Sequence, residues 1–111
     1  IKMSGLLLLV GAVRVLAVKH GIEAQSTRER LALLSKGGHM SNDEASAFSR
    51  LHDFMIGLQI RQQLADLRGG LALSNRVDPK IMSRAERSFL KDGFKRLNAL
   101  AWVMQNALST V

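Results

Sequence analysis

A helical repeat between residues 41 and 70 dictates the architecture of this chain. Apolar side chains recur there at alternating spacings of three and four, which places them on one face of a helix and close to a coiled-coil seam. A helix from Asn42 to Arg68 would be about 40 Å long. Because such a helix is not stable alone in water, we expect the rest of the chain to supply helices that cover it. The repeat consists of Phe48, Leu51, Met55, Leu58, Gln62 and Ala65.

Three Ser-x-x-Glu sequences predict where helices begin. In such a capping box the serine hydroxyl accepts a hydrogen bond from the backbone N–H of the glutamate. The boxes start at Ser26, Ser41 and Ser83, and the glycine pairs 37–38 and 69–70 are stop signals. The expected helices run from residue 27 to about 36, from 42 to 68, and from 84 towards 110.

The N-terminal segment, residues 6–18, is strongly apolar but too short to span a bilayer, which takes about 20 apolar residues. It also contains Arg14, and no clean signal-peptide cleavage site follows it. We therefore expect a helix that is buried on most of its circumference. Gly21 suits the left-handed position after its end, with Ile22 folding back onto the helix.

The segment between the second glycine pair and Ser83 has no helical period. Within it, Asp78-Pro79 predicts an N-cap followed by proline in the first position of a single turn. A second apolar seam follows in the last helix. Gly93 lies beside this seam and costs about 1 kcal/mol of helix propensity, which a close helix–helix approach would explain. The second seam consists of Leu90, Phe94, Leu97, Ala101, Met104, Leu108 and Val111.

Together these elements predict an all-α fold, a mostly antiparallel bundle of four to five helices that forms one domain over residues 1–111. A single proline, no tyrosine and no long Val/Ile/Thr runs argue against a sheet. The chain starts at Ile1 rather than Met, so we expect it to be a piece of a longer protein.

The chain is strongly basic and contains no cysteine. Sixteen Lys and Arg against nine Asp and Glu give a formal charge of +7. This excess points to an anionic partner, such as a nucleotide, nucleic acid, acidic protein or membrane surface, or else to a solvated basic surface. The absence of cysteine excludes a disulfide, a thiolate nucleophile and a Cys-rich zinc site. A reducing, cytoplasmic setting fits this composition.

Catalytic motifs are missing from the sequence. The three histidines, His20, His39 and His52, lack the spacing of helical metal ligands. There is no Gly-x-Ser-x-Gly sequence and no Gly-rich phosphate loop. No Asp-x-Asp pair is present that would hold two magnesium ions. We therefore expect neither catalytic residues nor a metal site in this chain.

The middle of the long helix is unusually polar. Gln59, Arg61, Gln62 and Gln63 lie together there, and Gln62 falls on the apolar seam. A buried glutamine must be hydrogen-bonded, so the simplest interpretation is a core amide bonded to a neighbouring helix or to residues 71–78. The alternative is a polar pocket wall in which Arg61 contacts an anion.

Four cationic residues of the last helix recur at spacings of three and four and so share one face. Such a pattern is usually a solvated helix face. The more specific alternative is that the four cations bind phosphate groups. The aromatic residues are expected on buried faces, Trp102 included, which argues against stacking with nucleic acid. The four cations, here called the basic row, are Arg84, Arg87, Lys91 and Lys95.

Several segments, taken in order, resemble those of one known bacterial helical domain. They are His20-Gly21-Ile22, Ser26-Thr27, Glu29-Arg30-Leu31, residues 58–64 with Arg61 and Gln63, Ser74-Asn75-Arg76-Val77-Asp78-Pro79, Glu86-Arg87, Leu90-Lys91 and Phe94. The domain that they resemble is the nucleotidyltransferase substrate-binding domain, or DUF294 C-terminal domain. The resemblance covers nearly the whole chain. In one respect the chain departs from it, because Gln59 stands where a basic residue is expected in relatives.

The resemblance implies a helical bundle at the C-terminus of a larger protein, which we expect to be cytoplasmic. Upstream it implies a cyclic-nucleotide-binding-like domain, a pair of CBS domains and a nucleotidyltransferase domain similar to that of PII-protein uridylyltransferases. The transferase domain would carry the Gly-Ser and Asp-x-Asp catalytic residues and would bind Mg and a nucleoside triphosphate. The present chain would be the accessory, non-catalytic piece, with no cofactor of its own and no membrane partner.

In this interpretation the domain positions the substrate: a helical wall closes the transferase cleft and holds an acceptor, such as a protein, against the bound nucleotide. We expect Arg61, Gln63, Asn75 and Arg76 on the cleft side, although Asn75 and Arg76 also suit a loop-fixing role. The competing interpretation is a non-enzymatic basic helical module that docks an acidic protein or nucleic acid.

Overall fold

The structure, a computed structural model, describes residues 4–72 and 76–109, and over these ranges it is an all-helical bundle. The predicted fold class is therefore confirmed. The helices predicted to begin at residues 27, 42 and 84 begin there. The elements are α1 (Ser4–Lys19), α2 (Thr27–Lys36), α3 (Asn42–Arg68), a single 3₁₀ turn (Pro79–Ile81) and α4 (Arg84–Ser109).

Helices α1 and α2 both end where α3 begins. The Ser35 side chain, in the last turn of α2, donates a hydrogen bond to the side chain of Asn42 at the start of α3. The His20 ring, which follows α1, stacks on the His39 ring with centroids 3.7 Å apart. Although helices joined by a short link are usually antiparallel, α1 and α2 therefore run in the same general direction. Residues 20–26 carry the chain back between them.

Helix α3 runs antiparallel to its neighbours and contacts all three of the other α-helices. Arg28, in the first turn of α2, forms an ion pair with Asp53 of α3. On α4, the Phe89 ring packs on the Phe54 ring in a T-shaped arrangement with centroids 5.1 Å apart, while Gly93 lies against Leu51 nearer the start of α3. The long helix is thus the axis on which the bundle is assembled.

The predicted helix boundaries have the expected hydrogen bonds. Each of the three capping boxes is closed by a glutamate N–H that donates to the serine hydroxyl over 3.1 Å. Gly21 takes the left-handed conformation after α1, with φ of 68°, and the Ile22 N–H donates to the Ala17 carbonyl over 2.8 Å. Before Pro79, the Asp78 carboxylate accepts from the Lys80 N–H over 3.0 Å. Local chemistry therefore determines where these helices start and stop.

The seam of α3 is buried as predicted as far as Leu58, and then it shifts. Ala65 is exposed, whereas Asp66 is only 6% exposed. The placement of Ala65 in the core was wrong, because a strict 3.5-residue repeat drifts by about 20° per heptad relative to an α-helix. After Gln62 the next inward position is four residues on, not three. The buried seam residues, each at most 1% exposed, are Phe48, Leu51, Met55 and Leu58.

Helix α1 is less covered than predicted. Leu9 and Val13 are fully buried, but Leu7 is 75% exposed and Val18 is 72% exposed. The expectation of burial around most of its circumference was wrong, because α1 packs at the outside of the bundle and its neighbours cover only one side. Within the described ranges, the helices fall short of the combined length and apolarity that crossing a bilayer requires.

The second seam, on α4, is buried at Leu90 and Leu97 and half-buried at Phe94. Of its later members, the side chain of Leu108 and the whole of Val111 lie outside the described part of the chain. Trp102, which was expected on a buried face, is 67% exposed. It follows Lys95 by two helical turns and so lies on the outer face of α4 with the basic row, not on the seam.

Gly93 marks a close approach between α3 and α4, as predicted. A Cβ atom added at Gly93 would lie 2.5 Å from Cδ1 of Leu51. Since Leu51 is only 1% exposed, its side chain has little room to move away. The helices approach closely because this position has no side chain.

We expect Gly93→Ala to destabilise the fold. The gain of about 1 kcal/mol in helix propensity is outweighed by overpacking against Leu51, which typically costs about 1–3 kcal/mol. The matched control is Gly11→Ala on α1, where an added Cβ meets nothing within 4 Å and should stabilise by about 0.5–1 kcal/mol. Urea denaturation measures both changes, and equal stabilisation by the two substitutions would contradict the close approach.

Candidate functional site

Gln62 joins α3 to the segment that leads into the 3₁₀ turn. Its amide nitrogen donates to the Asp66 carboxylate over 2.9 Å, and its amide oxygen accepts from the backbone N–H of Asp78 over 2.8 Å. The predicted bond from Gln62 to residues 71–78 is confirmed, although the side chain is half-buried rather than in the core. The bond to Gln62 also supports Asp66, a nearly buried carboxylate that would be costly without partners.

Arg61 makes a second connection between α3 and the start of α4. One guanidinium nitrogen donates to Glu86 over 2.9 Å and another donates to the carbonyl oxygen of Ile81. Glu86 in turn accepts from the Ser83 N–H over 2.9 Å. We call this group, together with the Gln62 bridge, the polar junction; it fixes the aperiodic segment and the start of α4 against α3. Its members are Arg61, Gln62, Asp66, Asp78, Ile81, Ser83 and Glu86.

Hydrogen bonding lowers the pKa of Glu86. The side-chain bond from Arg61 is the largest cause, and the bond from the Ser83 backbone is the next. Both favour the ionised carboxylate. Glu86 is therefore held as a charged partner for Arg61 rather than as a proton donor.

The structure brings three of the predicted site residues to one end of the bundle. Gln63 follows the junction residues on α3 and is half-buried, and Arg76 is exposed beside the segment that Gln62 holds. Arg61 belongs to the junction itself. Asn75 lies outside the described residues, so its predicted role stays a prediction.

An exposed apolar row follows the same part of α3. Its four members recur at spacings of four, four and three, so they lie on one face of α3. Nearer the start of α3, helix α2 covers this same face as far as Asp53. Helix α2 has only 10 residues and leaves this continuation open. Exposed apolar surfaces of this kind mark contact sites. The row consists of Ile56 (37% exposed), Ile60 (51%), Leu64 (48%) and Leu67 (61%).

The basic row forms the second candidate surface. All four of its residues are exposed, and none makes an ion pair with another residue of the described ranges. They therefore differ from Arg28 and Arg61, whose charges face Asp53 and Glu86. Three of the cations border a shallow groove of about 430 Å³ whose lining includes Leu90 and Phe94. The sequence pattern predicted the row but not that Trp102 lies on the same face. The spacing of seven residues between Lys95 and Trp102 could have indicated it.

Each of the three histidines lies beside another histidine or a carboxylate. His20 and His39 stack at the end of the bundle, and desolvation, followed by the charges of His39 and Lys19, lowers the pKa of His20. His52 lies 3.5 Å from the Asp53 carboxylate. In the described part of the chain, no group of three or more His, Cys, Asp or Glu residues is arranged to hold a metal ion.

We expect Glu86→Gln to lower the melting temperature by a few degrees at pH 6.5, and by less as the pH falls towards 3. The pKa of Glu86 in the folded chain lies below its ordinary value of 4.5. Its stabilising contribution is thus present above that value and is lost as the pH falls through the folded-state pKa. Arg61→Met should flatten the same pH dependence. Thermal denaturation followed by circular dichroism measures both effects, and a pH-independent difference would count against the ion pair.

One protein-family model matches nearly the whole chain. The family model described as "Putative nucleotidyltransferase substrate binding domain" matches residues 1–108, a range that includes both the polar junction and the basic row. Searches found no match among curated proteins and none among solved structures. The chain therefore belongs to the nucleotidyltransferase substrate-binding, or DUF294 C-terminal, domain family, as its sequence resemblance indicates.

Proposed function

We propose that this chain positions the acceptor substrate for a nucleotidyltransferase domain of the same protein and is not itself catalytic. The transferase domain would be similar to that of PII-protein uridylyltransferases, in a cytoplasmic protein that also carries CBS and cyclic-nucleotide-binding-like domains. The family match over residues 1–108 is the observation that carries the proposal.

The chemistry of the carboxylates supports a non-catalytic role. Asp53 pairs with Arg28, Glu86 pairs with Arg61, and Asp66 accepts a hydrogen bond from Gln62. Groups held in this way do not form the two-carboxylate arrangement that holds magnesium for nucleotidyl transfer. Mg and the nucleoside triphosphate would therefore bind in the transferase domain.

The C-terminal half of α3 suits the wall that faces the transferase cleft. It presents Gln63 and leads to Arg76, and the exposed apolar row from Ile56 to Leu67 runs beside them. The polar junction ties this region to the backbone of Asp78 and to Glu86 of α4. A rigid surface with polar groups at defined places can hold an acceptor in reach of a bound nucleotide, which lowers the entropic part of the barrier.

We expect Gln63→Ala and Arg76→Ala, made in the full-length protein, to raise the KM for the acceptor on the order of tenfold each. The KM for the nucleotide should change little in both variants, and the melting temperature should change little in Gln63→Ala, because the side chain of Gln63 makes none of the junction's hydrogen bonds. Arg50→Ala, which removes an exposed cation of α3 far from this end, is the matched control. Unchanged transfer kinetics in both test variants would contradict the assignment. Arg61→Ala is less suitable because Arg61 also holds Ile81 and Glu86.

A second candidate function is a non-enzymatic basic module that docks an acidic protein or nucleic acid. The basic row favours it, because its four charges face solvent without an ion pair in the described ranges. Domain deletion distinguishes the two functions. If the transferase without this domain no longer binds its acceptor, positioning is supported. If it retains transfer but loses an external partner, the docking module is supported.

A further inference from the structure

The outer face of α4 combines cations with an exposed aromatic ring. Six residues at spacings of three, four, four, three and four lie within a sector of about 80°. From first to last they extend about 27 Å along the helix. We call this the α4 outer face; it consists of Arg84, Arg87, Lys91, Lys95, Asn98 and Trp102.

We propose that the α4 outer face binds single-stranded nucleic acid. This inference is independent of the substrate-positioning role, since it concerns a different surface of the bundle. Four cations without ion pairs in the described ranges would track the phosphates of a strand. Trp102, 67% exposed at the far end of the face, would stack on a base.

The groove between the cations supplies the middle of the site. Arg87, Lys91 and Lys95 border it, and Leu90 and Phe94 line it with apolar surface. Its volume of about 430 Å³ leaves room for a base or a sugar beside the phosphate contacts. Single-strand sites are built from this combination of a positive track and apolar or aromatic surfaces.

The exposed indole favours a single strand over the other anionic partners. In a duplex the faces of the bases are hidden within the stack, so Trp102 would have no base to stack on without unstacking one. An acidic polypeptide satisfies the cations but carries no regular series of flat rings. Only a single strand uses both the charge and the aromatic ring of this face.

Trp102 itself reports on binding, because the chain has one tryptophan and no tyrosine. The experiment titrates the 111-residue chain, whose helical content is first checked by circular dichroism, with a 12-mer oligouridylate while tryptophan emission is recorded. We expect saturable quenching. Log affinity should fall linearly with log salt, with a slope of about −2 to −3 for three or four phosphate contacts. Anisotropy of a labelled oligouridylate gives the affinity of variants independently of the indole.

Two variants locate the site. Lys91→Gln combined with Lys95→Gln should lower affinity by on the order of tenfold or more and reduce the salt slope by about 1.4, or 0.7 for each lost contact. Trp102→Ala should lower affinity on the order of tenfold and leave the salt slope unchanged. The charge-matched control is Lys36→Gln combined with Arg50→Gln, two exposed cations on other helices, which should keep the affinity.

Three results would overturn the proposal. One is neither quenching nor an anisotropy change at low salt. Another is an equal loss of affinity in the control pair, which would mean attraction to overall charge rather than binding to this face. The third is equal affinity for a duplex or for polyglutamate, since either would remove the role of base stacking and make the face a general anionic or acidic-protein surface.

Discussion

The requirement to cover the apolar seam of α3 governs the rest of this structure. A helix of 27 residues presents more apolar surface than any one of its neighbours can bury. The others therefore share it: α2 runs antiparallel along its first half, α4 runs antiparallel on another side, and α1 also packs against it. The same constraint explains what stays open. Beyond the reach of the ten-residue α2, the row from Ile56 to Leu67 has no cover within the described ranges.

Local sequence signals predicted the helices accurately, because each signal is a short-range interaction. Ser26, Ser41 and Ser83 cap the helices that follow them, and Gly21 ends α1 in the left-handed conformation. One tertiary feature, the close approach at Gly93, could also be predicted. A glycine beside an apolar seam lowers helix propensity, and close packing of another helix offsets that cost. Helix bounds and fold class were thus within reach of the sequence.

The burial of side chains on the outer helices could not be predicted from the sequence, because it depends on which other helices pack against them. The apolar run of α1 reads as a buried helix, yet Leu7 and Val18 are exposed since one side of α1 has no neighbouring helix to bury it. Trp102 was expected to be buried because it is aromatic, but its angular position around α4 places it on the exposed side of that helix. Asp66, which the sequence pattern did not place in the core, is buried because the helix drifts against the repeat and Gln62 supplies a hydrogen bond.

The candidate site shows the same division between local and tertiary information. Sequence drew attention to the polar middle of α3, and the structure divides that region into parts with different tasks. Arg61 and Gln62 make hydrogen bonds that fix the aperiodic segment and the start of α4. Gln63 lies at the same end without being a member of that junction, and Arg76 is exposed beside it. The basic row, in contrast, has no such structural ion pair in the described ranges, so its charges are available to a ligand.

The central claim is that this domain serves a nucleotidyltransferase in the same protein. The most direct measurement is the intact mass of the native gene product, together with the sequence that precedes Ile1. We expect a much larger chain whose upstream part contains a Gly-Ser sequence and an Asp-x-Asp pair. A native chain that begins close to Ile1 would contradict it and would leave a binding module without a catalytic partner.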